Sequence, residues 1–138
     1  MNEPFIYTKS TVVDFDGTPI LFTPWICDDN YEHSMEMLRT AKADLCFGHL
    51  EIKGIEMQNG VINEHGLAKS DFNRFEKVVS GHFHKHTDDG QIFYCGAQYE
   101  MTWSDYQDPK GFHIFDTETR EIERIWNPMT IHKKIIYD

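Results

Sequence analysis

Val78-Val79-Ser80-Gly81-His82-Phe83-His84 and, earlier in the chain, Leu45-Cys46-Phe47-Gly48-His49 decide how this sequence is read. In each, an apolar run of strand length stops at a glycine, and an imidazole follows where the chain leaves the sheet. Neutral imidazole is the commonest side-chain ligand for first-row metals, and a preceding glycine lets backbone pass close to a crowded centre without a Cβ clash. If the chain stays extended, His82 and His84 face the same way with Cα atoms roughly 6.5 Å apart. Two ions at about 3.5–4 Å separation could then each take one of them. A His-x-His pair alone is as often structural as functional. A second Gly-His strand end at His49 tips the balance to a metal site.

Working outward, 138 residues is the size of one domain with room for a core. A hydrophobic fraction of 40% with 14% aromatics excludes a disordered chain. The 13 basic and 23 acidic residues leave a net charge of −10, the wrong sign for gripping nucleic acid by phosphate neutralisation alone. Acidic excess is ordinarily a solvated surface, although bound divalent ions would supply positive charge locally. Cys27, Cys46 and Cys95 form no close pair, so no disulfide framework is expected. With neither a signal-peptide pattern nor a membrane-length apolar run, a reducing, cytoplasmic setting is expected, with no membrane partner.

The spacing predicts a hairpin, Thr11–Phe15 and Pro19–Thr23 around Asp16-Gly17. A helix should follow, capped by Asp29 and Glu32, with Tyr31, Met35 and Leu38 on its core face. Strands are expected at Ala43–Phe47, Gln91–Cys95 after the Asp89-Gly90 turn, and Ile131–Tyr137, with a hairpin of Gly111–Phe115 and Arg120–Trp126. Gly54–Gly66 reads as loop and Ser70–Phe75 as one short helix, an excursion lying between His49 and His82. His86 extends the His82/His84 alternation but is left off the ligand set, and His33, His65, His113 and His132 read as structural or surface residues. The fold class is α/β, a sheet in a layered domain.

Gly48-His49 and Gly81-His82-Phe83-His84 resemble the last two signature blocks of the calcineurin-like metallophosphoesterases. Adding Thr11–Gly17, Pro24-Trp25, Asp108–Phe112 and Phe115–Thr119, the chain is similar from about Tyr7 to Tyr137 to the SbcD-type DNA-repair nucleases, and most to their recombination-endonuclease branch in T-even-type phages. The resemblance implies a two-metal, manganese-dependent hydrolase that cleaves DNA with an SbcC-type ATPase partner in the cytoplasm of an infected bacterium. It implies His49 and His82 on one ion and His84 on the other, with a hydroxide activated between the ions.

The family's Asp-x-His, Gly-Asp and Gly-Asn-His blocks, which carry the bridging aspartate and the proton-donating histidine, are absent from these residues. The expectation is therefore a single incomplete domain over residues 1–138: a partial metallophosphoesterase sandwich, mainly its second sheet with one or two helices. It would lack the N-terminal half and the C-terminal DNA- and ATPase-binding region. No residue is assigned as catalytic or substrate-binding, and the chain alone should be inactive, with weak metal binding. Alternatives are a non-catalytic interaction subunit, a piece completed by an upstream polypeptide or by self-association, and a fragment of a phosphatase or small phosphodiesterase. A structural zinc site of Cys46, His49, His82 and His84 ranks last, because Cys46 lies within an apolar strand.

Overall fold

The computed structural model describes residues 5–58 and 60–137. Asp16 (φ 51°) and Gly17 (φ 89°) both take the left-handed conformation that a tight hairpin turn demands. They join β1 (Thr11–Phe15) to β2 (Thr18–Thr23) as expected. Helix α1 (Tyr31–Thr40) then crosses to β3 (Leu45–Gly48). The small pair β4 (Glu56–Gln58) and β5 (Val61–Ile62) follows, with a 3-10 turn at Lys69–Phe72, before β6 (Lys77–Ser80). The hairpin of β7 (Thr87–Asp88) and β8 (Ile92–Tyr94), a 3-10 turn at Trp103–Asp105, and the hairpin of β9 (Lys110–Phe115) and β10 (Ile122–Asn127) complete the fold.

The main sheet has six strands in the order β1-β2-β3-β6-β8-β7. Its four central strands run parallel and its two edge strands antiparallel, a mixed α/β sheet. Because paired residues share a face, the register row Val12, Leu21, Cys46, Val78, Ile92 lies on one side. There it meets Leu38 of α1 with Phe72, Phe75 and Leu50 in the main core. The next row, Phe22, Phe47, Val79, Phe93, occupies the opposite side. The β9–β10 hairpin covers part of it, with Phe115 edge-on to Phe47 at 5.0 Å and His113 edge-on to Phe93 at 4.9 Å.

Several local expectations are corrected. The N-cap of α1 is Asn30, and Asp29 makes no capping bond with Glu32. The Asn30 side chain instead accepts from Cys27 N at 2.9 Å and donates to the Trp25 carbonyl at 2.9 Å, tying down the loop before the helix. Leu38 is buried and Met35 half-buried, but Tyr31 is exposed because it sits at the helix start, beside a cavity rather than under the core. Arg74 donates to the Leu38 and Ala41 carbonyls and so closes the other end of α1. Ile131–Tyr137 forms no strand: among the described residues no edge pairs with it, and Ile131, Ile135, Ile136 and Tyr137 are all exposed.

The excursion between β3 and β6 is stitched to the core rather than loose. Asn63, buried, donates to the Ile52 and His65 carbonyls, and a Cβ at Gly66 would stand 2.2 Å from the Glu51 carbonyl oxygen. The Tyr94 hydroxyl donates to Leu50 O at 2.8 Å and accepts from Ile52 N at 3.2 Å. Tyr94→Phe removes the partner of the buried Ile52 N–H and leaves Leu50 O with the long Ser80 hydroxyl bond at 3.5 Å, and should cost about 1–3 kcal/mol in urea denaturation, with the sheet retained.

Candidate metal centre

In open parallel sheets, ligands gather beyond the carboxyl ends of the strands. Here three adjacent parallel strands end level with one another, Thr23 of β2 pairing with Gly48 of β3, and Gly48 with Ser80 of β6. The lateral bonding continues one step past the ends, with His49 N donating to Thr23 O and Gly81 N to Gly48 O. Trp25, His49 and His82 are thereby delivered to one rim. Glycine is required at the first of these ends, where a Cβ on Gly48 would lie 2.7 Å from Thr23 O; a Cβ on Gly81 would lie 3.0 Å from His49 Nδ1 and press the ring to shift. Ser80, buried, accepts from Leu50 N at 2.8 Å and fixes the turn that carries His49.

The imidazoles of His49 and His82 stand 5.3 Å apart between ring centroids, at 78°. The Trp25 indole lies against both, 6.0 Å from His49 and 4.8 Å from His82. Partial desolvation, then the like charge of His82, lowers the pKa of His49 from its ordinary value, which favours the neutral form that a ligand must have. The His82–His84 segment is not an extended strand: β6 stops at Ser80, and His82 adopts a φ of 84°, turning the backbone out of the sheet. His84 nonetheless lines the same open cavity of about 430 Å³ as His49 and His82.

His84 Nδ1 lies 3.2 Å from Asp105 Oδ2. Asp105 also accepts from the backbone N–H groups of Met101 and Thr102 and from Lys110 Nζ. Burial pushes the Asp105 pKa up, but the Lys110 bond and the two N–H donors outweigh it and hold the carboxyl well below the usual range. Neither Asp105 nor Lys110 is marked by spacing in the sequence; Lys110 falls within the Asp108–Phe112 stretch, noted for its resemblance alone.

The remaining candidates lie apart. Cys46 is sequestered in the main core beside Leu21 and Val78, its thiol raised to about 12 by burial, on the core face of β3 rather than at the rim that carries His49. His86 Nδ1 donates to the Tyr94 carbonyl at 2.7 Å, and the ring packs on Phe93 and His113, on the hairpin side of the sheet. His33 bonds Ser10 O, and His65 is exposed. Lys85 pairs with Glu56 at 2.7 Å. Among the described residues no group of three or more His, Cys, Asp or Glu side chains is arranged to hold an ion. The residues fit a divalent ion in part: they supply imidazole nitrogens, and the one carboxylate beside them, Asp105, is taken up by the His84 ring, Lys110 and backbone N–H groups.

No family model matches the chain. It is similar to Exonuclease subunit 1 of Enterobacteria phage T4, with 39% identity over 132 residues, which make up 96% of this chain and 39% of that protein. The chain therefore spans about two-fifths of the length of the curated relative it matches. Among the described residues, no helix is long and apolar enough to cross a membrane.

His113 carries a testable pH signature. Its burial first, then the charges of His86 and Arg124, lower its pKa to about 4. Unfolded, it titrates near 6.5, so the unfolded chain binds the extra proton between these values and acid favours unfolding. The contribution is fully present above about pH 6.5 and is lost as pH falls toward 4. Urea midpoints measured across this window should slope downward with acid, and His113→Gln should flatten the slope.

Proposed function

We propose that this chain supplies the histidine side of a metal-dependent phosphodiesterase centre that acts on DNA. The observation that carries the reading is the meeting of His49 and His82 beyond the ends of neighbouring parallel strands, with His84 on the same cavity. The similarity to a protein named Exonuclease subunit 1 supports the substrate class, and the word subunit supports assembly with other polypeptides. The resemblance to SbcD-type nucleases adds manganese as the metal, an SbcC-type ATPase as partner, and work in DNA recombination and repair.

In this reading His49 and His82 hold one divalent ion and His84 the other. When bound, such ions polarise the phosphoryl oxygens and lower the pKa of an attacking water. The chain's own residues do the rest that lies within their reach. The strand ends fix the separation of His49 and His82, and Trp25 packs against both rings and restricts their rotation. With a net charge of −10, the protein repels a bare phosphate backbone, so the ions must provide the local attraction.

Because the bridging carboxylate and proton donor are absent from these 138 residues, the centre is completed by polypeptide outside them. A second observation favours such a docking role. Tyr7 and Phe22 line an open cavity beside Phe47, where the cover of the β9–β10 hairpin ends, and exposed apolar surface of this kind is normally covered.

The purified 138-residue chain with Mn²⁺ should show negligible cleavage of linear duplex DNA. Complementation with a polypeptide carrying the three missing blocks should restore cleavage, and His82→Ala in the complemented assembly should reduce the rate by at least about 100-fold. Robust cleavage by the chain alone, or unchanged activity of the His82 variant, overturns the proposal.

A further inference from the structure

We infer that Asp105 is the positioning residue of His84, holding its imidazole with the proton on Nδ1 so that Nε2 is left as the ring's acceptor for a divalent cation. The inference deepens the reading proposed above and rests on it for the cation, but the geometry of the pair stands by itself.

The Asp105 side chain is 3% exposed and surrounded by donors. One oxygen, Oδ1, accepts from Lys110 Nζ at 2.9 Å. The other, Oδ2, accepts from Met101 N at 2.9 Å, Thr102 N at 2.8 Å and Thr102 Oγ1 at 3.1 Å, and faces His84 Nδ1. A carboxylate held this way can only accept, so the ring nitrogen facing it must be the protonated one. Neutral imidazole has one donor and one acceptor nitrogen, and the acceptor is then Nε2.

Lys110 secures the same histidine from its backbone. Its ammonium, with a side chain 2% exposed, donates to the His84 carbonyl at 3.0 Å as well as to Asp105 and to Asp108 Oδ2 at 2.7 Å. One buried cation thus fixes both the main chain of His84 and the carboxylate that orients its ring. Burying an ammonium between two carboxylates is a costly way to anchor a loop if packing were the sole requirement. His84 carries this cluster to the cavity shared with His49 and His82. Metal-binding histidines characteristically give their second ring N–H to a carboxylate, which sets tautomer and orientation.

An asparagine cannot substitute for the carboxylate. Turned either way, its NH₂ would face Lys110 or face the N–H groups of Met101 and Thr102, and a donor would confront a donor.

The test is ¹⁵N–¹H NMR of the imidazoles in the whole, metal-free chain at pH 8, followed by titration with Mn²⁺ alone. Wild-type His84 should be the Nδ1–H tautomer, and Asp105→Asn should convert it to a mixture while His49 and His82 keep their spectra. Mn²⁺ should broaden the His84 ring signals in the wild type, and the variant should need about 10- to 100-fold more Mn²⁺ for the same effect. A wild-type Nε2–H or doubly protonated ring overturns the inference even if Asp105→Asn fails to fold, as does a folded variant with unchanged tautomer and affinity. If His84 is the Nδ1–H tautomer but Mn²⁺ broadens none of the three histidines, Asp105 is supported as the positioning residue and the metal reading falls.

Discussion

Everything at the candidate centre depends on the lateral alignment of three parallel strand ends. Thr23, Gly48 and Ser80 lie side by side in register, and each adjacent pair is bonded one residue further on, through His49 N and Gly81 N. That continuation brings residues distant in the chain to one rim, and it tolerates no Cβ at Gly48, while one at Gly81 would crowd the His49 ring. The same backbone geometry that makes parallel sheets favour ligands at their carboxyl ends therefore sets the separation of His49 and His82.

The layers behind this rim explain why it is held firmly on one side. The row from Val12 to Ile92 is sealed by α1 and by the Leu50–Phe75 excursion, each large side chain contributing roughly 1.5–3 kcal/mol when fully buried. Tyr94 belongs to both the sheet and the excursion, since its hydroxyl bonds Leu50 and Ile52. His84 sits on the other flank, where a buried ionic cluster fixes it. Two kinds of interaction thus converge on one cavity: hydrophobic registration for His49 and His82, hydrogen-bonded charge for His84.

Much of this was legible in the sequence because local chemistry and tertiary structure agree there. Asp16-Gly17 demands a tight hairpin, and the apolar runs before Gly48 and Gly81 are too short for anything but buried strands. The glycine–histidine pairs marked the strand ends, and His49, His82 and His84 do border a common space. What could not be read was set by long-range contacts. The chain bends at His82, where φ is 84°, so an extended His-x-His arrangement was the wrong local geometry. Asp29 looked like a cap, yet Asn30 took that place while its side chain held the Trp25 loop. Ile131–Ile135 has strand-like alternation but no edge to pair with. Asp105 and Lys110 lacked any spacing signal, since their partners lie 21 and 26 residues away in His84.

The central claim is that His49 and His82 share one divalent ion. An anomalous difference map from crystals of the chain soaked in Mn²⁺ tests it most directly. The account predicts a peak within bonding distance of a ring nitrogen from each of these two histidines. Manganese bound elsewhere, or rings of His49 and His82 that turn away from a common centre, would contradict it.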